Sequence, residues 1–245
     1  MLAPRNLALT RALAFDLDDT LVETSAIDGV AILRAAEFAV EQSSSSLSAE
    51  ACAAAFAALL GAEPFPPNGA PLRQWREALW RRALQADGAA VDEELAAEAH
   101  ARWCAGRLAA FRFEPPVAAM LQRLARTYAL VLVTNGHADV QRPKLAACGA
   151  AAYFGDRILV SGEEPEAKPA RSIFDAALRR LGCAANETIM VGDSLSCDVD
   201  GALSAGYAAA VWVRRPGQDA APQPANVFVI ENVLELEQLL AGPAP

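Results

Sequence analysis

The sequence predicts a doubly wound α/β domain with a parallel sheet, interrupted by an inserted all-helical domain. From Pro115 onward, short apolar runs alternate with helical patterns, which is the rhythm of βαβ units covering both faces of a parallel sheet. Residues 23–111 break this rhythm, because they are Ala-rich, helical by period and contain no convincing strand. We therefore predict a core of residues 1–22 and 112–245 and a helical insertion of residues 23–111.

Each predicted strand is a short run rich in Val, Ile, Leu and Ala. The six runs are 11–17, 129–135, 157–161, 187–193, 208–213 and 226–230. Helical patterns lie at 115–127, 138–148, 170–182, 197–205 and 232–241. In the insertion, breaks at 43–46, 64–71 and 87–88 predict about four helices.

Composition limits the classes of function. The chain has 245 residues and a net charge of −9, so it lacks the broad cationic surface that binds nucleic acid or an anionic membrane. A small phosphorylated metabolite would instead need locally placed positive charge. The five cysteines are scattered without a CxxC pair, and uncharged apolar runs of about 18 residues are missing. These features predict reduced thiols in a cytoplasmic protein rather than a membrane protein.

Polar residues follow four of the predicted strands at the sheet edge where open α/β sheets bind ligands. They are Asp16 to Thr20, Thr134 to Gly136, Lys168 and Asp193, with Asp198 shortly after. Two carboxylates two positions apart on an extended segment project to one side, so Asp16 and Asp18 can face one reacting centre. Such a pair can divide phosphoryl transfer between a nucleophile and a proton carrier, although DxDxT is also a helix-capping turn.

Asp193 adds a third carboxylate to this edge, and crowded carboxylates repel one another unless a cation joins them. Hard oxygen ligands beside a phosphate suit Mg²⁺, while the alternative for Gly-Asp-Ser is an ordinary helix N-cap. Thr134 and Asn135 offer a hydroxyl and an amide to a phosphate, and Gly136 permits close approach of the backbone. Lys168 could neutralise both the phosphate and Asp16, although an isolated Lys-Pro is usually an exposed helix entrance.

The segments DLDDT, VTNG, KP and GDSLSCDVDGALSAG, in this order, resemble the motif set of the haloacid dehalogenase superfamily. The resemblance implies that Asp16 is the nucleophile and a Mg²⁺ ligand. Asp18 would be the acid/base and a ligand through its carbonyl, Asp193 would complete the metal site, and Asp198 would support it. The implied phosphate contacts are Leu17, Thr134, Asn135 and Lys168.

Dehalogenases of this superfamily lack an acidic residue two positions after the nucleophile, because a departing halide needs no proton. Asp18 therefore favours a phosphatase, and the complete motif set argues against a non-catalytic phosphate sensor or scaffold. The resemblance extends over nearly the whole chain to phosphatases that act on a phosphorylated sialic acid, through segments such as TNGHADVQRPKLAACGAAAYF. A pyrimidine nucleotidase or a phosphoglycolate phosphatase would share the core motifs and remains the alternative.

The insertion would be the helical cap of the family, and the segments 72–80 and 102–111 resemble cap helices. A sialic acid phosphate carries a carboxylate far from its phosphate, so a bidentate cap arginine is expected. Arg73 and Arg107 are the candidates by their positions in these segments. Most of the other arginines of the insertion, among them Arg76, Arg81, Arg82 and Arg102, are expected to be solvated. His100 and His137 are expected to be surface residues rather than ligands.

Overall fold

A computed structural model describes residues 9–63, 66, 71–218 and 224–241. The chain divides into two compact units. One contains the chain up to Glu23 and from Arg112 onward, and the other is Thr24–Phe111. The first residues of the predicted core and most of the proline-rich break at 64–71 lie outside the described residues.

The first unit contains a parallel six-stranded sheet in the order β3-β2-β1-β4-β5-β6. This confirms the predicted doubly wound sheet, and its chain reversal beside β1 is the place where such sheets bind ligands. The strands are β1 (Ala12–Phe15), β2 (Ala129–Thr134), β3 (Ile158–Val160), β4 (Thr188–Gly192), β5 (Ala209–Val213) and β6 (Val227–Ile230).

The strand register brings the polar strand ends to one level. Phe15, the last residue of β1, pairs with Leu132 of β2 and with Val191 of β4, so β2 and β4 end within two residues of this level. All four residues of β1 and all five of β4 are buried, because helices cover both faces of the sheet. The uninterrupted apolar strands therefore place the first polar residues of these segments at one edge of the sheet.

The helices of this unit differ from the predicted ones mainly at their ends. Where one helix was expected at 197–205, a π-helical turn, Leu195–Asp200, precedes a short α-helix. Ser194 caps the turn, since its side chain accepts a hydrogen bond from the Cys197 N–H. The helices are α5 (Pro115–Leu124), α6 (Ala138–Ala147), α7 (Ala151–Phe154), α8 (Arg171–Leu181), α9 (Gly201–Ser204) and α10 (Leu236–Ala241).

Helices are the only regular secondary structure among the described residues of the second unit. It comprises α1 (Thr24–Glu41), α2 (Ala49–Ala62), α3 (Leu72–Leu84) and α4 (Glu93–Ala110). Its core is aromatic: Phe56 stacks on Trp80 at a centroid distance of 3.9 Å and meets the edge of Trp103 at 5.2 Å. Alanines such as Ala35, Ala39 and Ala99 fill the space between helices and permit close packing.

All five cysteines are free thiols. Among the helices in the described part of the chain, none is both long enough and apolar enough to span a bilayer.

Candidate active site

Asp16 directly follows β1 and is 6% exposed. Its backbone N–H donates to the carbonyl of Val191, which ties it to β4. The chain then turns, because the N–H groups of Leu21 and Val22 both donate to the carbonyl of Leu17. Asp19 has a φ of 59° within this turn, a left-handed conformation that aspartate tolerates better than most residues. Leu17, one of the predicted phosphate contacts, thus lies buried within a hydrogen-bonded turn.

Lys168 is a buried cation of the site, with 4% exposure. Its Nζ donates to Oδ1 of Asp16 and to Oδ1 of Asp198, both at 2.6 Å, and to the carbonyl of Val133 at 2.8 Å. Burial alone would lower the lysine pKa, but the two carboxylates outweigh it and raise the pKa above its ordinary value. Lys168 therefore remains charged at neutral pH.

Asn135 holds the main chain of Lys168. Its Nδ2 donates to the Lys168 carbonyl at 2.9 Å, and its Oδ1 accepts from the Lys168 N–H at 3.0 Å. Because both ends of the side-chain amide are engaged, a phosphate contact from Asn135 would come from its main chain. Thr134 is fully buried and its hydroxyl accepts a hydrogen bond from the Gln141 amide. Gly136 has a φ of 131°, so this turn requires glycine.

Asp18 is held by two residues that the sequence analysis missed. Nζ of Lys144 lies 2.6 Å from its Oδ1, and Nε2 of Gln141 donates to its Oδ2 at 2.7 Å. Both partners lie on α6, three residues apart and therefore on one face of the helix. A compositional signal existed, since Lys144 and Lys168 are the only two lysines in the chain. Both lysines are buried against aspartates of this site.

Arg215 is a further missed residue and follows β5. One guanidinium nitrogen lies 3.0 Å from Asp19 and the other 3.1 Å from Asp193. Burial raises the pKa of Asp193 to about 6, while the charge of Arg215 opposes that rise. Arg215 thus offsets part of the negative charge near the predicted metal site.

Three carboxylates converge at this edge of the sheet, and the third is Asp198, whereas the sequence analysis named Asp16, Asp18 and Asp193. Oxygen atoms of Asp16, Asp193 and Asp198 lie within 4.8 Å of one another. Burial raises the pKa of Asp16 to about 7, with added repulsion from Asp198 and Asp18, although Lys168 opposes the rise. A divalent cation would relieve this repulsion, and an all-oxygen donor set of this kind fits Mg²⁺.

Asp198 already uses both of its oxygens within the protein. Oδ1 accepts from Lys168 and Oδ2 accepts from the Ser194 N–H at 3.0 Å. A Cβ atom at position 192 would lie 2.4 Å from the Asp198 carboxyl group, so only glycine permits this approach. Asp198 is therefore held in place from both of its oxygens.

The two arginines of the helical unit that were named from the sequence have different surroundings. The Arg73 side chain is 75% exposed and its Nε lies 2.6 Å from Glu77, an ordinary i,i+4 surface pair. The Arg107 side chain is 8% exposed and its Nε lies 3.0 Å from Asp28. Arg76 is an exception to the expectation that most arginines of the insertion are solvated, since it is 8% exposed on the packed face of α3.

The predicted surface positions of the two histidines are wrong. His100 and His137 are 8% and 7% exposed. His100 lies on the packed face of α4, edge-on to Trp103 at 5.9 Å. His137 immediately precedes α6, where its carbonyl accepts from the Gln141 N–H.

Comparison with known proteins decides the family. The haloacid dehalogenase-like hydrolase family matches residues 10–206, which include every core residue discussed above except Arg215. The chain belongs to this family. It is 35% identical over 236 residues to the N-acylneuraminate-9-phosphatase of Rattus norvegicus, covering 96% of this chain and 95% of the relative. The predicted enzyme class, a phosphatase of this haloacid dehalogenase-like family, is confirmed by these matches.

Solved structures agree on the fold of this hydrolase. The magnesium-bound HAD hydrolase YfnB of Bacillus subtilis superimposes with a TM-score of 0.70 at 22% identity, covering 94% of this chain and 98% of that one. A 2-haloacid dehalogenase of Pseudomonas syringae is similar at a TM-score of 0.64 and 29% identity, covering 95% and 98%. The fold is therefore shared across different chemistries, and the reaction must be inferred from the site.

Proposed function

We propose that this hydrolase dephosphorylates N-acylneuraminate 9-phosphate to free N-acylneuraminate and inorganic phosphate in the cytoplasm. The observation that carries the proposal is the match to the rat phosphatase, which spans almost the full length of both chains and so includes the helical insertion. The arrangement of Asp16, Asp18 and Lys168 supports the chemistry. Residues of the helical unit would recognise the rest of the substrate.

Asp16 is the proposed nucleophile. A carboxylate oxygen attacks phosphorus, the bond between phosphorus and the ester oxygen breaks, and an aspartyl-phosphate forms. Lys168, at 2.6 Å from Asp16, reduces the repulsion between the incoming phosphate and the carboxylate. Thr134 and the main chain at Leu17 and Asn135 would hold the phosphate oxygens.

Asp18 is the proposed proton carrier. It gives a proton to the departing sugar oxygen and then takes one from the water that attacks the aspartyl-phosphate, which releases phosphate and restores Asp16. Its contacts with Lys144 and Gln141 fix the direction of the carboxyl group. A dehalogenase would not need this proton carrier, because a departing halide needs no proton.

Asp16, Asp193 and the carbonyl of Asp18 are the proposed Mg²⁺ ligands, with Asp198 supporting them. Bound Mg²⁺ would neutralise charge on the transferring phosphoryl group. The close approach of the Asp16 and Asp193 oxygens supports this assignment.

A panel of phosphate esters tests the proposal, assayed with Mg²⁺ and again after EDTA treatment. The panel contains N-acetylneuraminate 9-phosphate, pyrimidine nucleoside monophosphates and phosphoglycolate. We expect the highest kcat/KM for the sialic acid phosphate and loss of activity in EDTA that Mg²⁺ restores. A higher kcat/KM for a nucleotide or phosphoglycolate would replace the substrate assignment, and full activity after exhaustive chelation would overturn the metal assignment.

A further inference from the structure

Arg215 joins the two segments of the core that follow β1 and β4. One terminal nitrogen of its guanidinium group, Nη1, lies 3.0 Å from Oδ2 of Asp19, and the other, Nη2, lies 3.1 Å from Oδ2 of Asp193. Since β1 and β4 are neighbours in the sheet, a single side chain bridges the ends of two adjacent strands. Both segments carry residues that are proposed as Mg²⁺ ligands.

The contact of Arg215 with Asp193 is direct. Arg215 engages Oδ2 of this carboxylate, and a carboxylate held through one oxygen can still offer the other to a cation. The main chain of the same residue is fixed from β5, because Nε1 of Trp212 donates to the Asp193 carbonyl at 2.9 Å. Trp212 is 1% exposed and is therefore a rigid partner. Asp193 is thus held at both its main chain and its side chain.

The contact with Asp19 acts on the turn that follows β1. Asp19 has a φ of 59°, and its N–H donates to the carbonyl of Val22 at 2.7 Å. It immediately follows Asp18, whose carbonyl is a proposed ligand. A residue other than glycine with positive φ needs support from its surroundings. The ion pair with Arg215 therefore helps to hold the turn that carries this carbonyl.

The main chain of Arg215 is itself anchored. Its N–H donates to Oε1 of Gln218 at 2.8 Å, and the Gln218 N–H donates to the Arg215 carbonyl at 3.2 Å. The preceding residue, Arg214, donates its N–H to the carbonyl of Ile230 in β6 at 2.8 Å. The guanidinium group therefore extends from a fixed point just after β5.

Two effects of Arg215 on a nearby cation oppose each other. Its positive charge repels the cation, whereas its contacts orient the carboxylates. The Arg215 side chain is 40% exposed, so water and salt screen its charge. Loss of a residue that orients metal ligands typically costs about ten- to a hundredfold in metal affinity. We therefore expect orientation to outweigh repulsion.

We propose that Arg215 is a positioning residue that strengthens Mg²⁺ binding by holding Asp193 and the turn at Asp19 in place. The inference rests on the proposed Mg²⁺ site. Arginine suits this role, because its planar fork can reach two carboxylates at once, whereas lysine presents a single point charge. The role requires no contact between Arg215 and the substrate.

Calorimetric titration of the substrate-free, full-length protein with MgCl₂ tests the proposal, after circular dichroism in EDTA has shown that each variant is folded. Arg215→Met should raise the Kd for Mg²⁺ by about tenfold or more. Arg215→Lys should raise the Kd less, because one of the two contacts can survive. Arg214→Met is the matched control and should leave the Kd unchanged, since Arg214 is the neighbouring arginine and pairs with the exposed Glu231.

Unchanged or tighter Mg²⁺ binding by Arg215→Met would overturn the proposal, because repulsion would then equal or outweigh orientation. If Arg215→Met does not fold, wild-type affinity in Arg215→Lys would overturn it, since a bridge between two carboxylates would then be unnecessary. An equal rise of the Kd in Arg214→Met would also overturn it, because the effect would not depend on the contacts of Arg215. Failure of the wild type to bind Mg²⁺ would instead overturn the proposed Mg²⁺ site on which the inference rests.

Discussion

The two lysines of the chain have the same kind of environment. Lys168 lies against Asp16 and Asp198, and Lys144 lies against Asp18, with both lysines at 4% exposure. A buried lysine loses hydration and side-chain freedom, so a partner must compensate for both. In each case the partner is a carboxylate to which the family resemblance gives a role. Lys144 is accordingly expected to set the orientation of Asp18.

Replacement of Lys144 tests this positioning role. Lys144→Met should lower kcat about ten- to a hundredfold with a small change in KM, because a charge-assisted hydrogen bond that orients Asp18 is lost. Arg142→Met is the control on the same helix, since Arg142 is partly exposed and pairs with Glu163. A kcat for Lys144→Met within twofold of the wild-type value would show that Asp18 needs no such support.

The sequence predicted those site residues that lie together in one short segment of the chain. Asp16 and Asp18 follow one strand, and the register of β1 with β4 then brings Asp193 close to them. Lys144 and Arg215 were missed because their partners are far away in sequence and a pairing of this kind has no local pattern. The burial of Arg76 had a local signal, since it lies four residues after Leu72 on the packed face of α3.

At the scale of elements, buried strands were predicted well and helix ends poorly. β4 was predicted at 187–193 and spans Thr188–Gly192, because apolar residues on both faces define a strand over most of its length. The π-helical turn at Leu195–Asp200 depends on the Asp198 contacts with Lys168 and the Ser194 N–H. Helical periodicity alone contains no information about such contacts.

His100 makes the stability of α4 sensitive to acid. Burial and neighbouring charges lower its pKa from 6.5 to about 4, so the folded histidine stays neutral. Between these values the unfolded chain binds a proton that the folded chain does not, and stability therefore falls as the pH is lowered. The neighbouring charges that act on it are Arg76, Glu77, Arg73 and Arg107.

His100→Gln should therefore lose less stability than the wild type between pH 7 and pH 5. Urea unfolding at both pH values, followed by circular dichroism, gives the comparison directly. The wild type and the variant are each referred to their own value at pH 7, so that any packing cost of the substitution cancels. Equal losses in the two proteins would show that His100 makes no contribution to the acid sensitivity.

For the whole molecule, the charge distribution matches the handling of a small anion. The net charge is −9, yet the buried lysines and arginines of the described residues lie at two places: around the aspartates of the core and around Trp103 in the helical unit. Local cations of this kind can bind phosphate and carboxylate groups without an overall basic surface. Composition predicted the need for such cations, whereas their positions came from the fold.

The central claim is that Asp16 carries the phosphoryl group during turnover. Asp18→Asn should slow release of that group, because general acid/base assistance is worth about a hundredfold to ten-thousandfold. The variant is mixed with substrate and Mg²⁺, quenched in acid and reduced with borohydride, which converts an aspartyl-phosphate to homoserine. Peptide mass spectrometry should find homoserine at position 16, and none in an Asp16→Asn, Asp18→Asn control. Turnover by the variant without modification at position 16, or with phosphate on another residue, would contradict the account.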